Sequence, residues 1–97
     1  MPQNEYIERL RQEVDRLSDL NTRTDDPKVE YALADASRRL GEALLSSSRS
    51  PDVLQEAITW LNNAVTGYEN AGAEDEARET LQRVRSLLNG LSGGRFQ

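Results

Sequence analysis

The side chains best suited to chemistry in this chain are uncharged amides and hydroxyls, spaced so that they share one side of a helix. With 3.6 residues per turn, the polar positions between 55 and 70 recur on the same side. Asn and Thr have weak helix propensity and are seldom chosen for exposure alone, so this side needs an explanation. We call it the uncharged face, and its members are Gln55, Thr59, Asn62, Asn63, Thr66 and Asn70.

Two interpretations of the uncharged face are open from the sequence. It could pack partly against the first helix or simply tolerate water. Alternatively, it could form hydrogen bonds with the backbone or the acidic terminus of a partner protein. On the second interpretation, the candidate partner-binding residues of this helix are Thr59, Asn62, Asn63 and Thr66.

Other kinds of site lack the residues that they need. The sequence contains no cysteine and no histidine, which removes disulfides, a thiolate nucleophile, zinc sites of the usual kind and the commonest general base. The acidic run from Glu74 to Glu76 suits a helix N-terminus, and it lacks the alternating acids and central glycine of a calcium loop. We therefore expect no catalytic residue, no metal and no cofactor.

Apolar periodicity and helix-start signals predict four helices to position these residues, at about 4–20, 27–46, 51–71 and 73–90. Asp26-Pro27 and Ser50-Pro51 are typical helix starts, and Gly72 is a suitable left-handed stop. Because the connections are short, neighbouring helices should be antiparallel. The fold class predicted is all-α, a small antiparallel bundle of four helices, as one domain over residues 1–92 with a flexible tail at 93–97.

The second predicted helix carries a line of residues beside its main apolar stripe. Small residues in this line would let another helix approach closely, either inside the fold or across an interface. The line consists of Tyr31, Ala34, Arg38, Gly41 and Leu45. We take Tyr31, Arg38 and Leu45 as further candidate partner-binding residues.

The charge and hydropathy of the chain favour some partners over others. Seventeen acidic residues outnumber twelve basic ones, and the net charge of −5 is unfavourable for nucleic-acid binding. No apolar run approaches the length of a membrane span, and residues 1–20 are too charged for a secretory signal. We expect a cytoplasmic protein that binds neither nucleic acid nor a membrane.

The segment from Leu61 to Val84 resembles one tetratricopeptide repeat. The residues that follow the pattern of that family are Leu61, Ala64, Val65, Tyr68, Gly72, Ala77 and Leu81. Val84 and Asn89 stand where the family prefers alanine and proline, and no second repeat is visible at its period. The resemblance covers about a quarter of the chain. It implies a C-terminal helical hairpin that binds peptides or partner helices along the inner face of its first helix, here Thr59, Asn62, Asn63 and Thr66.

The leading functional hypothesis is a non-enzymatic interaction module, an adaptor or small regulatory protein that binds a partner peptide or helix. The alternatives are a structural subunit that forms a helical homo-oligomer, such as a homodimer, and an acidic mimic of DNA. The first helix, with Arg11 and Glu13, also resembles the opening of the small helical chorismate mutases. That family holds its substrate with buried Arg and Lys, and the later chain offers no matching interior Lys.

Overall fold

The chain folds into four helices joined by three short links. In this computed structural model the backbone is described for residues 2–93 and the side chains for residues 4–90. The helices are α1 (Pro2–Arg23), α2 (Pro27–Ser47), α3 (Pro51–Asn70) and α4 (Glu74–Gly93), and no strand occurs within this described part. The all-α prediction and the number of helices are confirmed.

The helix starts follow the predicted signals closely. Pro27 and Pro51 open α2 and α3, and the Asp26 carboxylate accepts a hydrogen bond from the Lys28 backbone N–H at 2.9 Å. Ser50 occupies the equivalent position before α3 without a side-chain capping bond. Gly72 adopts a φ of +78°, which lets the chain reverse between α3 and α4.

The first helix is longer than predicted. It continues to Arg23, through polar residues that the sequence pattern assigned to a joint. The Thr22 hydroxyl donates to the Asp19 carbonyl and Arg23 pairs with Asp19, so local bonds extend the last turn. At the other end of the chain Gly93 belongs to α4, and residues 94–97 of the predicted tail lie outside the described residues.

The helices pack in chain order, α1 on α2, α2 on α3 and α3 on α4. Gly41 of α2 lies against Leu61 of α3, and Gly67 of α3 lies against Ala34 of α2, which makes this central pair antiparallel. Side chains also link α1 to α3, through Arg11 and Glu56, and α2 to α4, through Tyr31 and Glu76. The four helices therefore form a pleated row, with α1 and α3 on one side and α2 and α4 on the other. The molecule measures 48 × 33 × 16 Å.

Two clusters of apolar side chains make up the core. One lies between α1, α2 and α3 and includes Val14, Leu40 and Ala57. The other lies between α2, α3 and α4 and includes Val65 and Tyr68. The central helices α2 and α3 contribute to both clusters, whereas α1 and α4 each contribute to one. Among the described residues, no helix is both long and apolar enough to cross a membrane.

Candidate functional site

The middle of the uncharged face is exposed to solvent. Helix α3 buries its opposite side, where Leu61, Ala64 and Tyr68 are almost inaccessible. The side chains of Thr59, Asn62, Asn63 and Thr66 are all exposed. These four residues are therefore placed where another molecule can reach them.

The amides and the hydroxyls of the uncharged face differ in their hydrogen bonding. The Thr59 hydroxyl donates to the Gln55 carbonyl at 3.1 Å, and the Thr66 hydroxyl donates to the Asn62 carbonyl at 3.4 Å. Within residues 4–90, the side-chain amides of Asn62 and Asn63 have no protein hydrogen-bond partner. In the middle of this face, the two amides thus offer donors and acceptors to another molecule.

The line on α2 meets its neighbour inside the fold. Ala34 and Gly41 are buried against α3, and Leu45 packs on the first core cluster. Tyr31 is exposed; its ring lies edge-on to Tyr68 at 5.4 Å between centroids, and its hydroxyl donates to Glu76 at 2.9 Å. The hydrogen bond to Glu76 raises the pKa of Tyr31. Most of the line therefore makes contacts within the chain, to α3, to α4 and to the first core cluster.

Arg38, from the same line, lies in a cavity between α1 and α2. It is half-buried, and Tyr6 and Arg39 also line this cavity of about 520 Å³. Asp35 and Glu42 contribute acidic groups to the same lining, so neither sign of charge dominates. Arg38 is thus separated from the uncharged face of α3, and the structure does not combine the two sets of candidate residues into one surface.

A groove beside the uncharged face is lined by residues of three helices. Asp15 and Ser18 of α1 and Trp60 and Asn63 of α3 line it together with Leu33 and Ala34 of α2, around a cavity of about 240 Å³. We call it the α1–α3 groove. Asn63 is the one candidate residue that lies in its lining, while Thr59, Asn62 and Thr66 lie beside it on the same helix.

An ion pair between α1 and α3 fixes the position of the indole in this groove. The Arg11 guanidinium donates to Glu56 Oε2 at 2.7 Å, and the Trp60 indole N–H donates to the same oxygen at 3.1 Å. These bonds hold the pKa of Glu56 below its usual value, mainly through Arg11, and the bond to Glu56 raises the pKa of Arg11. Trp60 therefore has its polar atom satisfied while its ring remains part of the lining.

The lining of the α1–α3 groove is acidic and contains no Lys or Arg. Among the described residues Asp15 forms no salt bridge, although its charge helps to raise the pKa of Arg11. Glu30 lies beyond the Gly67 end, where its carboxylate accepts from the Asn21 amide at 2.7 Å. Asp15 is therefore the one charged side chain in the lining, and the Arg11–Glu56 ion pair lies next to the indole.

The remaining large cavity and the acidic groups present weaker candidates. A cavity of about 510 Å³ lies between α3 and α4 and is lined by Glu69, Glu74, Ala77, Arg78 and Leu81. These charged groups are of both signs and lie at the surface. Over residues 4–90, no three acidic side chains come together in a way that could hold a metal ion. The α1–α3 groove is therefore the best candidate site.

Reasoning from the sequence missed most of this groove. Trp60 is half-buried: it packs against the first core cluster and also lines the cavity. Asp15 and Ser18 look like ordinary surface residues of the first helix. The one available signal was Gly67, a glycine inside a helix, which marks close packing on Ala34 at the groove.

Comparison with known protein families, with curated proteins and with solved structures finds no match to this chain. The candidate site therefore rests on its own geometry.

Proposed function

We propose that this chain is a non-enzymatic interaction module, a cytoplasmic adaptor or small regulatory protein, that binds a segment of a partner protein along the α1–α3 groove and the uncharged face. The observation that carries the proposal is the position of Asn63. It lies in a groove with an indole, and its amide and that of Asn62 have no protein partner among the described residues. Unpaired amides next to an apolar cavity are suited to a peptide, which brings both backbone hydrogen-bonding groups and side chains.

The resemblance to a tetratricopeptide hairpin supports the same proposal. It implies binding along the first helix of the hairpin, which is α3 here. The groove lies on the side of the row that α1 and α3 share, so an extended peptide or a helix could contact both. We propose a TPR-like hairpin on this basis.

The alternative functions receive less support. Four large apolar side chains are exposed among the described residues, Tyr6, Leu20, Tyr31 and Leu88, and they are distributed over three helices. A homodimer would favour one contiguous apolar patch. A mimic of DNA would favour uninterrupted negative charge, whereas Arg11, Arg39 and Arg83 pair with acidic neighbours on the surface.

A pull-down with matched variants tests the proposal. The Asn62→Ala/Asn63→Ala variant removes two unpaired amides from the middle of the uncharged face, and Gln82→Ala/Asn89→Ala removes two exposed amides from α4. We expect a partner protein that the wild-type chain and the α4 variant retain and the α3 variant loses. Recovery of the same proteins in equal amount with all three chains would contradict the proposed surface.

A further inference from the structure

We infer that the α1–α3 groove receives one Lys or Arg side chain from a basic partner segment, with Asp15 pairing its cationic group. This inference rests on the proposed function and deepens it, because it names the chemistry of the partner. The contacts, size and charge of the groove each bear on it.

The size of the groove suits one long side chain. Its volume of about 240 Å³ is smaller than the roughly 300–1,000 Å³ of sites that enclose a whole drug-sized ligand. Leu33, Ala34 and the Trp60 ring supply apolar surface, while Asp15 and Asn63 lie among the polar members of the lining. Lys and Arg match this arrangement, because they lay an apolar stem along such surface and keep the charged head in water.

The charge of the groove selects the basic side chain over an acidic one. Asp15 forms no salt bridge in the described part of the chain, and the lining has no base to receive a carboxylate. Helix α3 has no Lys or Arg, and the whole chain carries a net charge of −5, which would draw a basic segment and repel an acidic one. Trp60 adds a ring over which a cation can lie favourably.

The test is a selection of random dodecapeptides on the immobilised full-length chain, followed by titration of the selected peptides. Trp60 is the only tryptophan of the chain, so its fluorescence reports occupancy of the groove with tryptophan-free peptides. We expect selected peptides to share a Lys or Arg at one position. Ser18→Leu, which adds bulk at the exposed rim, should abolish their binding, with circular dichroism showing that the helices persist.

Charge-matched variants then test the pairing itself. Asp15→Asn should weaken binding about three- to tenfold, as expected for a partly exposed charge pair. Asp25→Asn removes the same charge from the exposed α1–α2 link and should change the affinity less than about twofold, through long-range attraction alone. A peptide with citrulline in place of arginine keeps the shape and loses the charge. It should bind wild type and Asp15→Asn equally, which isolates the pair as a double-mutant cycle.

The outcomes distinguish the inference from the proposed function. The inference is overturned if the selected peptides need the open groove but share an acidic or apolar residue. It is also overturned if Asp15→Asn leaves their affinity unchanged. Either result is still compatible with the proposed interaction module. Absence of binding peptides, or binding unaffected by Ser18→Leu, overturns both. Doubling of the molar mass with a second copy of the chain seated in the groove would overturn both as well.

Discussion

Gly41 marks the closest approach between the two central helices. A methyl group built on it would lie 2.9 Å from Leu61 Cγ and 3.0 Å from the Ala57 carbonyl oxygen. Because the carbonyl belongs to the helix backbone, it cannot move aside as a flexible side chain would. Overpacking of this kind costs about 1–3 kcal/mol, while alanine gains about 1 kcal/mol of helix propensity over glycine. We expect Gly41→Ala to lower the free energy of unfolding by up to about 2 kcal/mol in urea denaturation.

A second glycine gives the matched control for Gly41. Gly90 lies in α4, and a methyl group built there would meet no heavy atom within 4 Å. Gly90→Ala should therefore raise the free energy of unfolding, by no more than about 1 kcal/mol because it lies near the helix end. If both substitutions raised stability, the close approach of α2 and α3 at Gly41 would be wrong.

At the scale of the helix, the two proline-opened starts differ in how they are capped. Asp26 accepts a hydrogen bond from the Lys28 backbone N–H, while the Ser50 side chain makes no such bond. Replacing a bonded cap by alanine costs about 1 kcal/mol. We expect thermal or urea unfolding of Asp26→Ala to show a loss near that value and Ser50→Ala to show a smaller one. Equal losses would mean that Ser50 caps α3 in solution.

The helices were predictable from sequence because their signals are local. Pro27, Pro51 and Gly72 lie at the boundaries that they signal, since each acts through its own φ angle. The uncharged face also follows from one helix alone, so its grouping on one side of α3 could be read from spacing. The end of α1 could not be predicted from spacing. Thr22 and Arg23 extend the helix through bonds that polar residues make equally well in a loop.

The groove escaped prediction because it depends on how helices distant in sequence meet. Arg11 and Glu56 are separated by 45 positions, and nothing in their spacing shows that α1 and α3 lie on the same side of α2. Asp15 acquires its place at the rim only through that arrangement. Trp60 packs against the first core cluster but is only half-buried, and it is part of the cavity lining. Local patterns thus identified Asn63, while tertiary packing supplied its neighbours.

For the whole molecule, the arrangement of the helices in an open row predicts that local stability decreases from the central helices to the edge helices. Helices α2 and α3 contribute to both core clusters and have neighbouring helices on two sides, whereas α1 and α4 each contribute to one cluster and lie at an edge of the row. In such arrays an edge helix can detach while the rest stays folded, because each element depends mainly on its nearest neighbours. Edge helices should therefore open at a lower free energy than the central pair.

Native-state amide hydrogen exchange measures this gradient directly. Val14 of α1 and Val84 of α4 have side chains as well buried as Leu40 of α2, with exposed fractions of 4%, 3% and 0%. Local burial is therefore matched, and a difference in exchange reports the position of the helix in the row. We expect the opening free energies at Val14 and Val84 to be at least about 1 kcal/mol below that at Leu40. Equal values at all three would indicate that the four helices unfold as one cooperative unit. In that case the separate core clusters would not act as separate units of stability.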